Sequence, residues 1–65
     1  MKTIDRWIAG TIAELEQRHP YGCDDATATE IGSDVAQRLR MKPPAIVKWD
    51  PRGRPPFWYA ATPPS

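Results

Sequence analysis

The sequence predicts a mainly helical domain with a small β element: three helices followed by a short returning strand. Two observations lead to this fold class. Apolar residues recur at helical spacing in the first two thirds of the chain, and an aromatic run near the end is typical of a strand. All prolines except Pro20 lie between Pro43 and Pro64, so the last third is unsuited to a long helix. A length of 65 residues allows one domain, placed at residues 1–60, with 61–65 as a disordered tail.

The first helix is predicted from one apolar stripe at the period of an α-helix. Thr3 is the expected N-cap, and Pro20 ends the helix. Trp7 lies on the stripe, so we assign it to the core. The residues of the stripe are Ile4, Trp7, Ile8, Ile12 and Leu15.

The second helix is predicted to have Thr27 as its N-cap, because Thr27 and Glu30 match a capping box. Apolar residues then follow every four positions, and the helix ends near Arg40. Gly32 weakens the first half by about 1 kcal/mol relative to alanine. A later start at Ser33, after a short extended piece, is therefore a second possibility.

A short third helix is predicted over residues 45–49, with Pro44 in the favourable first position and Asp50-Pro51 ending it. Residues 57–60 are then expected to form a strand. On a strand, Phe57 and Tyr59 point to one side and Trp58 to the other, and one set can close the core beside Trp7.

Charge is divided unevenly along the chain, although the net charge is only +1. Residues 1–37 carry three basic and seven acidic side chains, a net −4, whereas residues 38–65 carry six basic and one acidic, a net +5. Such asymmetry favours a basic face that binds a polyanion. The alternative is chance clustering on a solvated surface.

No catalytic, metal or cofactor site is predicted, and we do not expect an enzyme. Cys23 is the only cysteine, which excludes a disulfide within the chain. His19 and Cys23 are too few ligands for structural zinc. Asp24 and Asp25 could bind a cation, but adjacent carboxylates point apart, and their charge raises the thiol pKa of Cys23.

A cytoplasmic, nucleoid-associated location is expected. Asp5, Arg6 and Gly10 interrupt the apolar stretch that a signal peptide would need. No apolar run approaches the roughly 18 residues of a membrane span.

Residues 34–49 resemble the helix-turn-helix of bacterial and phage DNA-binding regulators. Ala36 is the small residue where two helices cross, and Leu39 and Met41 fill the space below the turn. Ile46 and Trp49 would present one face of the second helix to the core. The family usually has glycine where this chain has Arg40, which requires an alternative turn or strain. Similar apolar spacing also arises in any three-helix core.

The order of elements is similar to a winged helix, with the basic tip of the wing at Arg52-Gly53-Arg54. Little sequence remains for an outgoing strand, so we expect a truncated or single-stranded wing. Residues 51–55 are also similar to the core of an AT-hook, whose arginines follow the minor groove of A·T-rich DNA. AT-hooks usually carry more basic residues on both sides, where this chain has Asp50 and Phe57. The alternative is a rigid proline-rich turn with solvated arginines.

These resemblances imply double-stranded DNA binding by a small transcriptional regulator or a phage or plasmid accessory protein. A recognition helix would lie in the major groove and the wing in the minor groove. About four or five phosphate contacts predict a slope of log K against log salt of about −4. A monomer of this size would bind weakly, so a homodimer on two half-sites is also expected. Homodimerisation through the aromatic strand is a third possibility and is compatible with DNA binding. The implied contacts are Ala45 and Lys48 to base edges, Arg38, Arg40 and Lys42 to phosphates, and Arg52 and Arg54 to the minor groove, with Pro43 and Gly53 in the same segments.

The competing hypothesis is a small protein-interaction module, such as a phage protein that binds a host factor. Trp49 and residues 57–59 would be exposed aromatic anchors, or the strand would add to a partner's sheet. Burial of Trp49 and Trp58 in the free protein would remove the main support for such anchors.

Overall fold

A computed structural model describes residues 3–62. Their elements are α1 (Thr3–Arg18), α2 (Asp25–Arg38), β1 (Ile46–Trp49) and β2 (Trp58–Ala61). Helix α2 packs against both α1 and β1, and the two strands form an antiparallel hairpin. The predicted class, mainly helical with a small β element, is confirmed, but the described residues contain two helices and not three.

Helix α1 places its apolar stripe in the core as predicted, apart from Ile4, which is 48% exposed. Trp7 is fully buried, and its indole Nε1–H donates a 2.8 Å hydrogen bond to the Gly32 carbonyl. Thr11 is also buried, and its hydroxyl donates to the Trp7 carbonyl at 2.7 Å. The buried polar atoms of both side chains are therefore satisfied inside the core.

Helix α2 begins three residues earlier than predicted, because its N-cap is Asp24 and not Thr27. Thr27 lies in the first turn, where its hydroxyl faces the Asp24 carboxylate and lowers the pKa of that group. The alternative start at Ser33 is wrong, because the helix runs unbroken through Gly32. A Cβ on Gly32 would lie 2.9 Å from Val47 Cγ2 and about as close to the Trp7 ring, so glycine lets both helices and β1 approach.

The third helix predicted over residues 45–49 is wrong, because Ile46–Trp49 is strand β1. Five residues between proline-containing segments are too few to offset the cost of nucleating an isolated helix. Ile46, Val47 and Trp49 also favour a strand. On a strand, Ile46 and Trp49 point to opposite faces, so the predicted common face does not form.

The predicted returning strand therefore has an outgoing partner, and the expectation of a truncated or single-stranded wing is wrong. β1 and β2 pair in register, with Ile46 opposite Ala61 and Trp49 opposite Trp58. The predicted alternation is confirmed for two residues: Trp58 is 6% exposed and joins the core with Trp7, whereas Tyr59 is 47% exposed. Phe57, predicted as the first residue of this strand, lies before β2 in a left-handed conformation. β2 includes Ala61, one residue past the predicted domain end, and the rest of the predicted tail, apart from Thr62, lies outside the described residues.

No helix within residues 3–62 combines the length and apolar character needed to cross a bilayer.

Candidate nucleic-acid interface

The tip of the hairpin, residues 50–57, is closed by its own backbone hydrogen bonds. Gly53 N–H donates to the Asp50 carbonyl at 3.1 Å, and Phe57 N–H donates to the Arg54 carbonyl at 2.8 Å. These bonds form two successive turns. The Asp50 carboxylate also accepts from the backbone N–H of Arg52 at 2.9 Å. The tip is thus compact and differs from the extended backbone of an AT-hook.

The structure brings Arg52, Gly53 and Arg54 together at this tip, and all three are exposed. Neither arginine forms an ion pair with a described residue. Both charges are therefore free to meet an external anion.

Lys48 lies on the outer face of the hairpin. Its neighbour Val47 is fully buried against the helices, so alternation directs Lys48 to the other side of the sheet. Tyr59 is the register partner of Lys48 and lies on the same face. Sequence reasoning names Tyr59 only as an anchor for a protein partner and misses it as a DNA contact, although the alternation that puts Trp58 in the core already places Tyr59 outside.

Arg40 and Lys42 lie in the connection from α2 to β1, at the other end of the hairpin from the tip. Both side chains are in exposed residues without an ion-pair partner among residues 3–62. Pro43 follows them and is also exposed. Basic groups are thus found at the base, in the middle and at the tip of the hairpin.

Arg38 differs from the other predicted phosphate contacts, because its charge is already compensated. Its guanidinium donates to Glu14 and to Asp34, each at 3.1 Å, which joins α2 to α1. The hydrogen bond to Glu14 is the main cause of a raised Arg38 pKa. Arg38 therefore belongs to a helix-to-helix ion-pair network rather than to the free basic group.

Ala45, predicted to approach base edges, is half-buried and packs against the core. Without a recognition helix, it has no position from which to read a groove. Lys48, its predicted companion, is half-buried on the outer face of β1.

The remaining chemistry-bearing residues do not converge. Burial is the main cause of a raised pKa for the Cys23 thiol, and the charges of Asp24 and Asp25 also raise it, so the thiolate is disfavoured. No group of three His, Cys, Asp or Glu side chains in the described part of the chain could hold a metal ion.

No protein-family model matches this chain, and comparisons with curated proteins and with solved structures find no match. Its function is therefore inferred from the geometry and charge of its own residues.

Proposed function

We propose that this chain binds double-stranded DNA through the basic hairpin, defined as the β1–β2 hairpin with its tip and the connection that precedes it. One observation carries the proposal: the basic side chains without ion-pair partners in the described chain are concentrated there. Five of these six side chains lie there, namely Arg40, Lys42, Lys48, Arg52 and Arg54, and the sixth is Arg6 on α1.

The helices carry the opposite charge. Of the eight acidic residues, all but Asp50 lie in α1, in α2 or at the N-cap of α2. Asp50 itself is engaged by the Arg52 backbone in the tip. A DNA phosphate backbone would be attracted to the hairpin and repelled by the helical side, which favours one orientation on the duplex.

The dimensions of the hairpin suit this role. Two strands about 4.8 Å apart form a ribbon of the kind that the roughly 12 Å major groove admits. Lys48 and Tyr59 would then face the groove, and Arg40 and Lys42 would contact phosphates. Arg52 and Arg54 at the tip would reach the adjacent minor groove, where arginine is attracted by the negative potential.

A small transcriptional regulator or a phage or plasmid accessory protein remains the proposed setting for this binding. The hairpin replaces the recognition helix as the contacting element in that proposal. Kinship with the winged-helix family stays a prediction.

The test is a titration of isotope-labelled protein with a mixed-sequence duplex and an A·T-rich duplex at two salt concentrations. Amide shifts centred on residues 40–59 that fade at high salt are expected, with a slope of log K against log salt of about −4. The double variant Arg52→Ala, Arg54→Ala should reduce that slope to about −2, because two phosphate-region contacts are lost.

The matched control is Arg18→Ala, Arg38→Ala. It removes the same charge from arginines that are both paired with Glu14 on the helical side. Affinity close to that of the parent chain is expected. Equal losses of DNA affinity in the two double variants would show that only the net charge of the protein matters. An absence of amide shifts with either duplex at low salt would reject DNA binding.

Gly53 separates minor-groove insertion from simple phosphate contact. A Cβ at this position would approach only Asp50, at 3.4 Å or more, so Gly53→Ala should leave stability nearly unchanged. If the tip enters the minor groove, the added methyl group should weaken binding to the A·T-rich duplex selectively. Equal affinity of Gly53→Ala and the parent chain would assign the tip arginines to phosphates.

The second candidate is a protein-interaction module, but the two tryptophans expected as its exposed anchors are buried or half-buried. Trp58 is 6% exposed, and Trp49 is half-buried, with its ring against Gly22. What favours this candidate is an apolar groove of about 550 Å³ beside Trp58, lined also by Pro20, Pro55, Pro56, Phe57 and Glu16. The titration separates the two functions, since an interaction module leaves the hairpin amides unshifted by either duplex.

A further inference from the structure

The two outer edges of the hairpin differ in how their backbone groups are satisfied. At the β1 edge, the Thr29 hydroxyl accepts from Val47 N–H at 3.2 Å and donates to the Val47 carbonyl at 3.1 Å. The Asp25 carboxylate accepts a hydrogen bond from the backbone N–H of Trp49, at a nitrogen-to-oxygen distance of 3.5 Å. Side chains of α2 therefore occupy the edge of β1 where another strand would pair.

The β2 edge is open. The Asp50 N–H donates to the Phe57 carbonyl, which fixes the alternation of inward and outward backbone groups along the hairpin. Tyr59 and Ala61 thus direct their N–H and C=O groups to β1, whereas Trp58 and Ala60 direct theirs outward. No hydrogen bond joins the outward groups to any residue within 3–62. Unpaired groups of this kind are a template for another strand.

We propose that β2 pairs antiparallel with β2 of a second copy of this chain, about a two-fold axis at Tyr59. The two hairpins then form one four-stranded sheet in the order β1, β2, β2 of the second copy, β1 of the second copy. Trp58 and Ala60 of each copy exchange backbone hydrogen bonds with Ala60 and Trp58 of the other, four bonds in all by the antiparallel pattern.

The side chains of β2 complement themselves in this register. The large Trp58 lies beside the small Ala60 of the second copy, and Ala60 is exposed although its register partner Val47 is fully buried. Tyr59, 47% exposed in the single chain, meets Tyr59 of the second copy in a closely spaced cross-strand pair. Both exposed side chains are covered by the same contact.

Charge also permits this pairing. Residues 55–62 carry no charged side chain, so no like charges face each other across the new strand pair. The nearest basic residue on the outer face is Lys48, and its equivalent lies three strand spacings away, about 14 Å. That separation exceeds the Debye length of about 10 Å at 0.1 M salt, so repulsion between the hairpins is screened.

The dimer should be weak. A contact made through one four-residue strand per copy is smaller than the roughly 1,200 Å² of total buried area found in stable complexes. Association is therefore expected at concentrations near 1 mM, with monomers at about 10 µM.

The experiment is sedimentation equilibrium of the full chain from about 10 µM to about 1 mM. We expect a mass rising from 7.3 kDa towards twice that value. Tyr59→Glu places two carboxylates opposite each other at the axis, and Ala60→Pro removes an outward N–H that the hairpin does not use. Each should raise the dissociation constant at least tenfold. The control Tyr21→Glu makes the same change at a residue 91% exposed outside the sheet and should dimerise like the parent chain.

Amide exchange of the parent chain gives a measurement that does not depend on how the variants fold. The Trp58 and Ala60 amides should become protected as concentration rises, while the Tyr59 amide is protected throughout. Monomeric behaviour of the parent chain at 1 mM would overturn the proposal, as would dimers of Tyr59→Glu and Ala60→Pro as stable as those of Tyr21→Glu. These readouts contain no DNA, so they are independent of the proposed binding function.

Discussion

Arg40 adopts an unfavourable backbone conformation that allows the last carbonyl groups of α2 to be hydrogen-bonded. Its φ of 57° lies in the left-handed region that favours glycine. Arg40 N–H donates to the Gln37 carbonyl and Met41 N–H donates to the Ala36 carbonyl, both at 3.0 Å. This pair of bonds is the Schellman arrangement that closes many helices. The strain expected from the missing glycine is therefore present.

Arg40→Gly should stabilise the fold by about 1 kcal/mol, because glycine adopts this conformation without the steric cost of a side chain. Urea unfolding followed by tryptophan fluorescence would measure the change. Lys42→Gly is the control. Lys42 does not have a left-handed backbone conformation, so glycine at this position should not stabilise the fold. A less stable Arg40→Gly protein would mean that the Arg40 side chain contributes contacts beyond those described. The same variant should bind DNA more weakly, because it lacks one basic group of the hairpin.

Residue-scale predictions from the sequence succeeded where a local pattern decides the outcome. The core position of Trp7 follows from its place on a helical stripe, and the burial of Trp58 follows from strand alternation. The ion pair between Arg38 and Glu14 joins residues 24 positions apart, and nothing local signals it. The sequence alone therefore predicts Arg38 as a phosphate contact, although Glu14 and Asp34 already compensate its charge.

At the scale of elements, α2 determines the position of β1 through Thr29. One hydroxyl satisfies both backbone groups of Val47 on the side of the strand away from β2. A threonine near the start of a helix is unremarkable in sequence, so this link between helix and strand could not be predicted.

Thr29→Val should lower the free energy of unfolding by about 1 to 3 kcal/mol, because the Val47 N–H and C=O lose their partner while the shape of the side chain is kept. Thr29→Ser keeps the hydroxyl, so its free energy of unfolding should fall far less. Chemical denaturation of the three proteins measures the difference. Equal stability of the valine and serine variants would mean that water replaces the hydroxyl at this edge.

The error over residues 45–49 is also an error at the scale of elements. The segment has a proline before it that suits a helix start and an Asp-Pro that suits a helix end, so local signals allowed a helix. Whether its β-branched residues form a strand depends on a partner strand that begins nine positions after Trp49, across a tip whose turns are not apparent from composition. The sequence nevertheless predicts the outward direction of Lys48, because Lys48 faces away from the core both in the predicted helix and in the observed strand β1.

At the scale of the whole molecule, one core holds all four elements together. Trp7 from α1, Val35 from α2, Val47 from β1 and Trp58 from β2 belong to the same buried cluster. Hairpins of two strands are marginal alone and need a packed partner. The basic hairpin therefore depends on the acidic helices for its shape, although the two sides carry opposite charge.

Unfolding should accordingly be a single transition. At about 10 µM, midpoints from far-ultraviolet circular dichroism, which reports the helices, and from tryptophan emission, which reports the shared core, should coincide. The double variant Arg52→Ala, Arg54→Ala, altered only at the exposed tip, serves as the control and should keep both midpoints together. An emission change at lower denaturant than the loss of helix would show that the hairpin detaches first.

The occupied edge of β1 has a consequence for assembly. A sheet whose two edge strands are both unpaired can add further copies at each edge without limit, and fibrils form in this way. Here one edge of each sheet is closed by Thr29 and Asp25, so a second copy has a place to join and a third has none. In the dimer proposed above, growth of the sheet would therefore end at two chains, because Thr29 and Asp25 of α2 occupy both outer edges.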